Sequence, residues 1–103
     1  MTPVDLQALD SAVHGPIRLS VLALLRVEGP LDFTTLRKRL DVTDGVLGAH
    51  VLKLEQAGYV ATRRDFVGRR PRTTYRLAPA GKIALARYLE AMQRLIRAVE
   101  RAS

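Results

Sequence analysis

The segment RRDFVGRRPRTTYR, residues 63 to 76, holds six arginines and one aspartate. A guanidinium is a permanent cation carrying a planar fork of donors, so this run offers charge-assisted hydrogen bonds to phosphate and no proton transfer. Gly68 allows the chain to reverse and Pro71 stiffens the return, which lowers the entropy lost when the segment is ordered on a partner. Arg69, Arg70 and Arg72 stand nearest the reversal, with Arg63 and Arg64 behind them. Arg37, Lys38 and Arg39, in TTLRKRL, form a second basic cluster. For that cluster a phosphate contact and a solvated helix face both stay open.

The remaining inventory argues against most other chemistry. The chain has no cysteine, which removes disulfides, thiolate nucleophiles and thiolate metal sites together and fits a reducing cytoplasm. Its two histidines, His14 and His50, have no acidic or nucleophilic partner that the sequence places beside them, and no metal site is expected. His50 flanks an apolar stripe, where a packed or hydrogen-bonded histidine is the common outcome. Rossmann and P-loop glycine patterns are absent. The expectation is a protein without catalysis and without a cofactor.

Charge distribution points the same way. The net charge is +7, and it is uneven: residues 1 to 32 hold two arginines against four acids, residues 33 to 76 ten basic residues against four acids, and residues 77 to 103 five against two. A basic block in the middle of a folded chain is the footprint of a polyanion-binding face. With 103 residues and 48% hydrophobic composition, one domain spanning 1 to 103 is expected. MTPVDLQALD has two aspartates, no basic residue and only scattered apolar positions, unlike a signal peptide. LSVLALL lies between Arg18 and Arg26 and is too short to cross a membrane. A cytoplasmic protein with no membrane partner is the expectation.

The elements that must position these residues follow from periodicity and punctuation. A short helix is expected over 4 to 13, with Leu6, Leu9 and Val13 on one face. Pro16 suits the start of a buried helix carrying Ile17, Val21, Leu24 and Leu25, which Gly29-Pro30 stops. Leu31 to Phe33 reads as an extended link and TTLRKRL as a helix ended by Asp41-Val42. Thr43 caps a helix over 44 to 57, and Gly58 stands where a C-terminal glycine belongs. Residues 59 to 64 and 72 to 77 read as strands joined by DFVGRRP, and Pro79 opens a helix reaching the C-terminus.

The helix over 44 to 57 has an odd start. Gly45 and Gly48 each cost it about 1 kcal/mol relative to alanine. Leu47, Val51 and Leu54 form its core stripe, which leaves Gly45, Ala49, Leu52 and Gln56 opposite, with Val46, Gly48 and Lys53 at the margins. Two glycines there either clear space for a ligand's approach or permit tight packing on the preceding helix.

At this point a resemblance becomes specific. TDG at 43 to 45, HVLKLEQAGYV at 50 to 60 and GRRPRTTYRL at 68 to 77 make residues 14 to 90 similar to the winged-helix DNA-binding domain of small regulators related to the MarR and ArsR transcription factors. The resemblance implies a mainly α fold with a small β-hairpin: a winged helix-turn-helix over 14 to 77, with dimerisation helices at 4 to 13 and 79 to 103. It implies a repressor-like dimer that binds double-stranded DNA. The helix over 44 to 57 then resembles a recognition helix, so Thr43, Asp44, Gly45, Val46, Gly48, Ala49 and Lys53 become candidate DNA contacts beside Arg37, Lys38 and the wing arginines. This chain departs from the pattern in carrying Val46, Gly48, Ala49 and Leu52 where relatives usually carry polar or basic residues. Direct base readout needs donors and acceptors, so the departure bears on specificity more than on DNA binding.

The C-terminal helix carries an apolar stripe of Leu85, Leu89, Met92, Ile96 and Val99 through about 25 residues, roughly 37 Å. A small winged domain cannot cover that length. Pairing with a second copy, through this stripe and Leu6, Leu9 and Val13, is the expectation; folding back on its own domain is the alternative. No residue set identifies an effector. The leading function is therefore a dimeric DNA-binding transcriptional regulator, and the alternative is a winged-helix module that holds a protein partner through Leu52 and the C-terminal stripe and has only nonspecific nucleic-acid affinity.

Overall fold

Helix α1, Pro16–Glu28, is the hub of the fold, and the remaining elements are arranged around it in a computed structural model that describes residues 6–103. Pro16 opens it with the preset φ of a first helical residue, and Gly29, at φ 84, closes it in a conformation that side chains disfavour. Its buried face is Val21, Leu22 and Leu25. There follow β1 (Leu31–Asp32), α2 (Phe33–Leu40), α3 (Asp44–Gln56), β2 (Val60–Val67), β3 (Arg70–Leu77) and α4 (Pro79–Ala102).

The helix-turn-helix is defined by its caps. Asp32 accepts the Thr35 N–H at 2.7 Å and starts α2. Asp41, at φ 54, ends it: the Asp41 and Val42 N–H groups return to the carbonyls of Lys38 and Arg37, a Schellman closure built on an aspartate. Thr43 caps α3 through a 3.2 Å bond from the Val46 N–H. At the far end Gly58, at φ 77, reverses the chain into β2. Leu47, Val51 and Leu54 are buried as the periodicity requires.

The extended link at 31 to 33 is more than a link. Leu31 and Asp32 pair with Tyr75 and Thr74, so the hairpin becomes a three-stranded antiparallel sheet in the order β1-β3-β2. The wing is also longer than the sequence suggests, because pairing runs out to Val67 and Arg70 and leaves only Gly68 and Arg69 in the loop. Gly68 has φ 63 while Arg69 does not have a positive φ, the pattern of a type II′ turn whose twist matches the strands. Pro71 is tolerated inside β3 for a geometric reason. The pair 67/70 closes the loop, so 66/71 is a non-hydrogen-bonded pair and the proline nitrogen faces away from β2, beyond the end of β1.

Residues 6–13 do not form the expected helix; positions 4 and 5 of that stretch lie outside the described residues. They run as turns, because the Asp10 carboxylate takes the Ala12 N–H at 2.8 Å and the Asp10 carbonyl takes those of Val13 and His14. Val13 is completely buried in the domain's own core, so it leaves the proposed seam, while Leu9 packs partly on that core and Leu6 is exposed.

Helix α4 divides in two. Ala84, Leu85 and Tyr88 enter the core and Met92 packs against it, which also removes Leu85 from the seam. Ile96 and Val99 beyond, and Leu89 on the outer side, are exposed. The described chain measures 57 × 25 × 22 Å with a radius of gyration of 15.5 Å, above the roughly 13 Å of a rounded 100-residue domain.

Two polar contacts join these parts. The Arg18 guanidinium of α1 donates to the Ser11 and His14 carbonyls at 3.0 and 3.1 Å and to His50 Nδ1 of α3 at 3.0 Å. His14 Nδ1 lies 2.8 Å from the Tyr88 hydroxyl of α4. At the start of α4, Gly81 passes so close to the chain after α3 that a Cβ there would stand 2.1 Å from the Tyr59 carbonyl oxygen.

Gly81→Ala is therefore expected to lower the unfolding free energy by about 1–3 kcal/mol or more, because backbone must move. Gly48→Ala meets nothing within 4 Å and should raise it by about 0.5–1 kcal/mol. Urea unfolding of both variants checks the contrast. A pH effect follows from His50, whose pKa is held below its ordinary value of 6.5 by burial first and then by the Arg18 and Lys53 charges. The folded state disfavours the proton, so the stability from neutral His50 is complete above 6.5 and is lost as pH falls below it towards the folded-state pKa. Thermal melts should show that loss in the native protein and its attenuation in His50→Gln.

Candidate nucleic-acid interface

Helix α3 presents a smooth outer surface. With Leu47, Val51 and Leu54 turned inward, Gly45, Val46, Ala49, Leu52 and Lys53 are exposed and Gly48 is half-buried. No atom lies within 4 Å of a Cβ built at Gly45 or Gly48, so neither glycine exists to let α2 pack closely. Within the chain the open side of the helix stays open. At its start Thr43 consumes the Val46 and Leu47 donors, leaving the N–H groups of Asp44 and Gly45 directed out of the first turn. Such donors, at the positive end of the helix dipole, suit a phosphate oxygen.

Fixed charges around this turn are partly matched. Arg37 Nε lies 3.1 Å from Asp44 Oδ1, so one candidate cation is tied to one candidate contact. Arg39 pairs with Glu28 of α1, its Nη1 lying 2.9 Å from Oε1, while Lys38 is exposed and forms no ion pair among the described residues. That bond to Arg39 holds the Glu28 carboxyl below its usual range.

The register sorts the wing's side chains by face. Val60, Thr62, Arg64 and Phe66 of β2 share a face with Leu77, Tyr75, Thr73 and Pro71 of β3; Ala61, Arg63, Asp65 and Val67 share the other with Arg76, Thr74, Arg72 and Arg70. At the root the first face is core, with Val60 and Tyr75 buried. The second carries most of the arginines. There Arg72 makes a bidentate pair with Asp65, at 3.0 and 2.8 Å, which lowers the Asp65 pKa and raises that of Arg72. Arg63, Arg72, Asp32, Asp65, Thr35 and Thr74 line a small cleft between β1 and the wing. Its alternating charges are largely self-compensating. Arg64, Arg69, Arg70 and Arg76 form no ion pair among the described residues.

Sequence reasoning located the wing but not the ion pair within it. Arg72, one of the three arginines nearest the turn, is held by Asp65, seven positions away, a pairing visible only once the register is known. Arg18 was overlooked. It sits within an apolar helix and lacks any local acidic partner, yet it fastens α3 to α1 through His50. Glu55 was missed as well, and it accepts from the Thr62 hydroxyl and joins the end of α3 to β2.

Among the described residues no group of three or more histidines, cysteines, aspartates or glutamates is placed to hold a metal ion, and no helix is long and apolar enough to cross a membrane. Comparison with known proteins agrees with the geometry. Residues 17–96 match the family model described as winged helix DNA-binding domain. An uncharacterised protein of Methanocaldococcus jannaschii, MJ0432, is 31% identical over 84 residues, covering 82% of this chain and 91% of its own. A transcriptional regulator homologue from Pyrococcus horikoshii superposes with a TM-score of 0.81 at 28% identity, over 90% of this chain and 93% of that one. A regulator of the MarR family from Enterococcus faecalis has the same fold, with a TM-score of 0.73 at 24% identity over 94% and 86%. This chain is a member of the winged helix DNA-binding domain family.

Proposed function

We propose that this protein is a dimeric transcriptional regulator of the cytoplasm, repressor-like in action, that sets α3 in the major groove of duplex DNA and lays its wing along the flanking backbone or minor groove. The observation that carries the reading is the unobstructed, small-residue face of α3 in a chain whose free cations cluster on the wing. Thr43, Asp44, Gly45, Val46, Gly48, Ala49 and Lys53 form the helix contact. Arg63, Arg64, Arg69, Arg70 and, when released from Asp65, Arg72 form the wing contact; Arg37 and Lys38 supplement the helix start. With few donors or acceptors on the outer face, affinity comes mainly from phosphate neutralisation. Exposed Leu89, Ile96 and Val99 on distal α4 are proposed as the seam between two copies, so that two recognition helices meet successive major grooves.

Selection of bound duplexes from a random pool tests the reading: an enriched palindrome supports a dimeric operator-binding regulator, and no retention of duplex overturns it in favour of a protein-interaction module using Leu52 and distal α4. The phosphate share has its own signature. Log K should fall linearly with log salt by about 0.9 per phosphate contacted, and Arg69→Ala with Arg70→Ala should flatten that slope by up to about 1.8. Asp65→Asn, which frees Arg72, should raise affinity for all duplexes alike. For the seam, Leu89→Asp with Ile96→Asp should convert a dimer to a folded monomer in light scattering, because paired copies would bury unmatched carboxylates. A native protein that is monomeric at high concentration sinks the dimer.

A further inference from the structure

The tip of the wing is apolar where a purely electrostatic clamp has no use for it. Phe66 is 70% exposed and Val67 53%, the side chains lie on opposite faces of β2, and both occupy the last turnward positions before the Gly68-Arg69 loop. The hairpin face that is core at Val60 and Tyr75 continues outward as Phe66, but no helix reaches the tip to cover it. Pro71 stands directly across from Phe66 in a non-hydrogen-bonded pair, where Cβ atoms approach closest, and so backs the ring with a rigid residue. Cations flank the tip: Arg64 is two positions back on the ring's own face, Arg69 stands in the turn, and Arg70 follows it on the opposite face, none of them in an ion pair among the described residues. The nearby acid, Asp65, is held by Arg72 on the other face.

We propose that Phe66 is a wedge, which the wing inserts from the minor groove between two base pairs, unstacking that step and bending the duplex while Arg64, Arg69 and Arg70 hold the phosphates on either side. The inference rests on the DNA-binding reading and deepens it. A bare apolar ring flanked by cations matches a base step flanked by phosphates, and a wing stiffened by a two-residue loop and Pro71 delivers the ring without first having to order itself. It also supplies what the outer face of α3 lacks. A wedge discriminates through the ease of unstacking, so T-A and C-A steps under the wing are preferred over stiff A-tracts without any base-edge hydrogen bond.

The chain contains no tryptophan, so F66W introduces its one indole at the point in question. The experiment titrates F66W with two short duplexes, one with a central T-A step and one with an A-tract, following duplex anisotropy, indole emission and end-to-end energy transfer in the DNA together. Binding to the T-A duplex should quench the indole strongly and shorten the end-to-end distance. Phe66→Ala, which leaves an exposed site and should keep its circular dichroism, should bind that duplex about tenfold more weakly, within the range of one base stacked on an aromatic ring, with the salt slope unchanged and the bend lost. Binding by anisotropy with unchanged indole emission and an unbent duplex overturns the wedge and leaves the regulator standing. Quenching that follows protein concentration without DNA assigns the ring to a protein contact and also overturns it. Failure of the native protein to bind either duplex overturns both.

Discussion

What α3 can present to a ligand is set by the burial of one helical stripe. Leu47 and Leu54 are completely buried and Val51 nearly so, against a core centred on α1. Side chains of this kind contribute about 1.5–3 kcal/mol each when removed from water. A helix with a single stripe of large apolar residues has one rotational setting that buries them, and that setting decides which residues look outward. Arg18 adds direction to a force that has none, because its fork joins the turn at Ser11 and His14 to His50 in the middle of α3. The hydrophobic term holds the helix down and the guanidinium helps fix its register.

Electrostatics then operates on a surface whose ion pairs are shallow. Arg37 with Asp44, and Arg72 with Asp65, are solvent-accessible contacts of a kind that contributes little stability. They hold cations near the helix start and the wing in ordered positions while screening them, and a phosphate can replace the carboxylate at small cost. Charge counted along the sequence and charge presented by the fold are therefore different quantities. Of the wing's six arginines five are without an ion pair among the described residues, and two of those lie at or beside the turn.

Helix α4 serves two environments with one periodicity. Over its first half the stripe completes the core, with Gly81 allowing the backbone contact with Tyr59 that brings the helix down onto the domain. Over its second half the same spacing continues past the last residue that α1 can cover, which accounts for the elongated shape. The exposed Ile96 and Val99 follow from that length, whereas Leu89 is exposed beside the buried Tyr88 and Ala91 because it lies off the core-facing side.

The sequence by itself determined the order and type of the helices from Pro16 onward, both caps of α3 and the identity of its buried stripe, because these depend on local propensity, on short side-chain-to-backbone bonds and on a 3.6-residue period. It determined the hairpin too, through Gly68 and the alternation around it. What it did not carry was any relation between distant residues. The pairing of Leu31 and Asp32 with β3 turned a link into a strand, and the competition of Asp10 for nearby N–H groups dissolved an expected helix and sent Val13 inward. Leu85 was indistinguishable from Leu89 in a periodic stripe until the packing showed which side of α4 meets the core. The capture of Arg72 by Asp65, the clamp of Arg18 on His50 and the bareness of Phe66 were decided only by the tertiary structure, since each depends on which side chains the register and the packing bring within a few ångströms, and on which they leave in water.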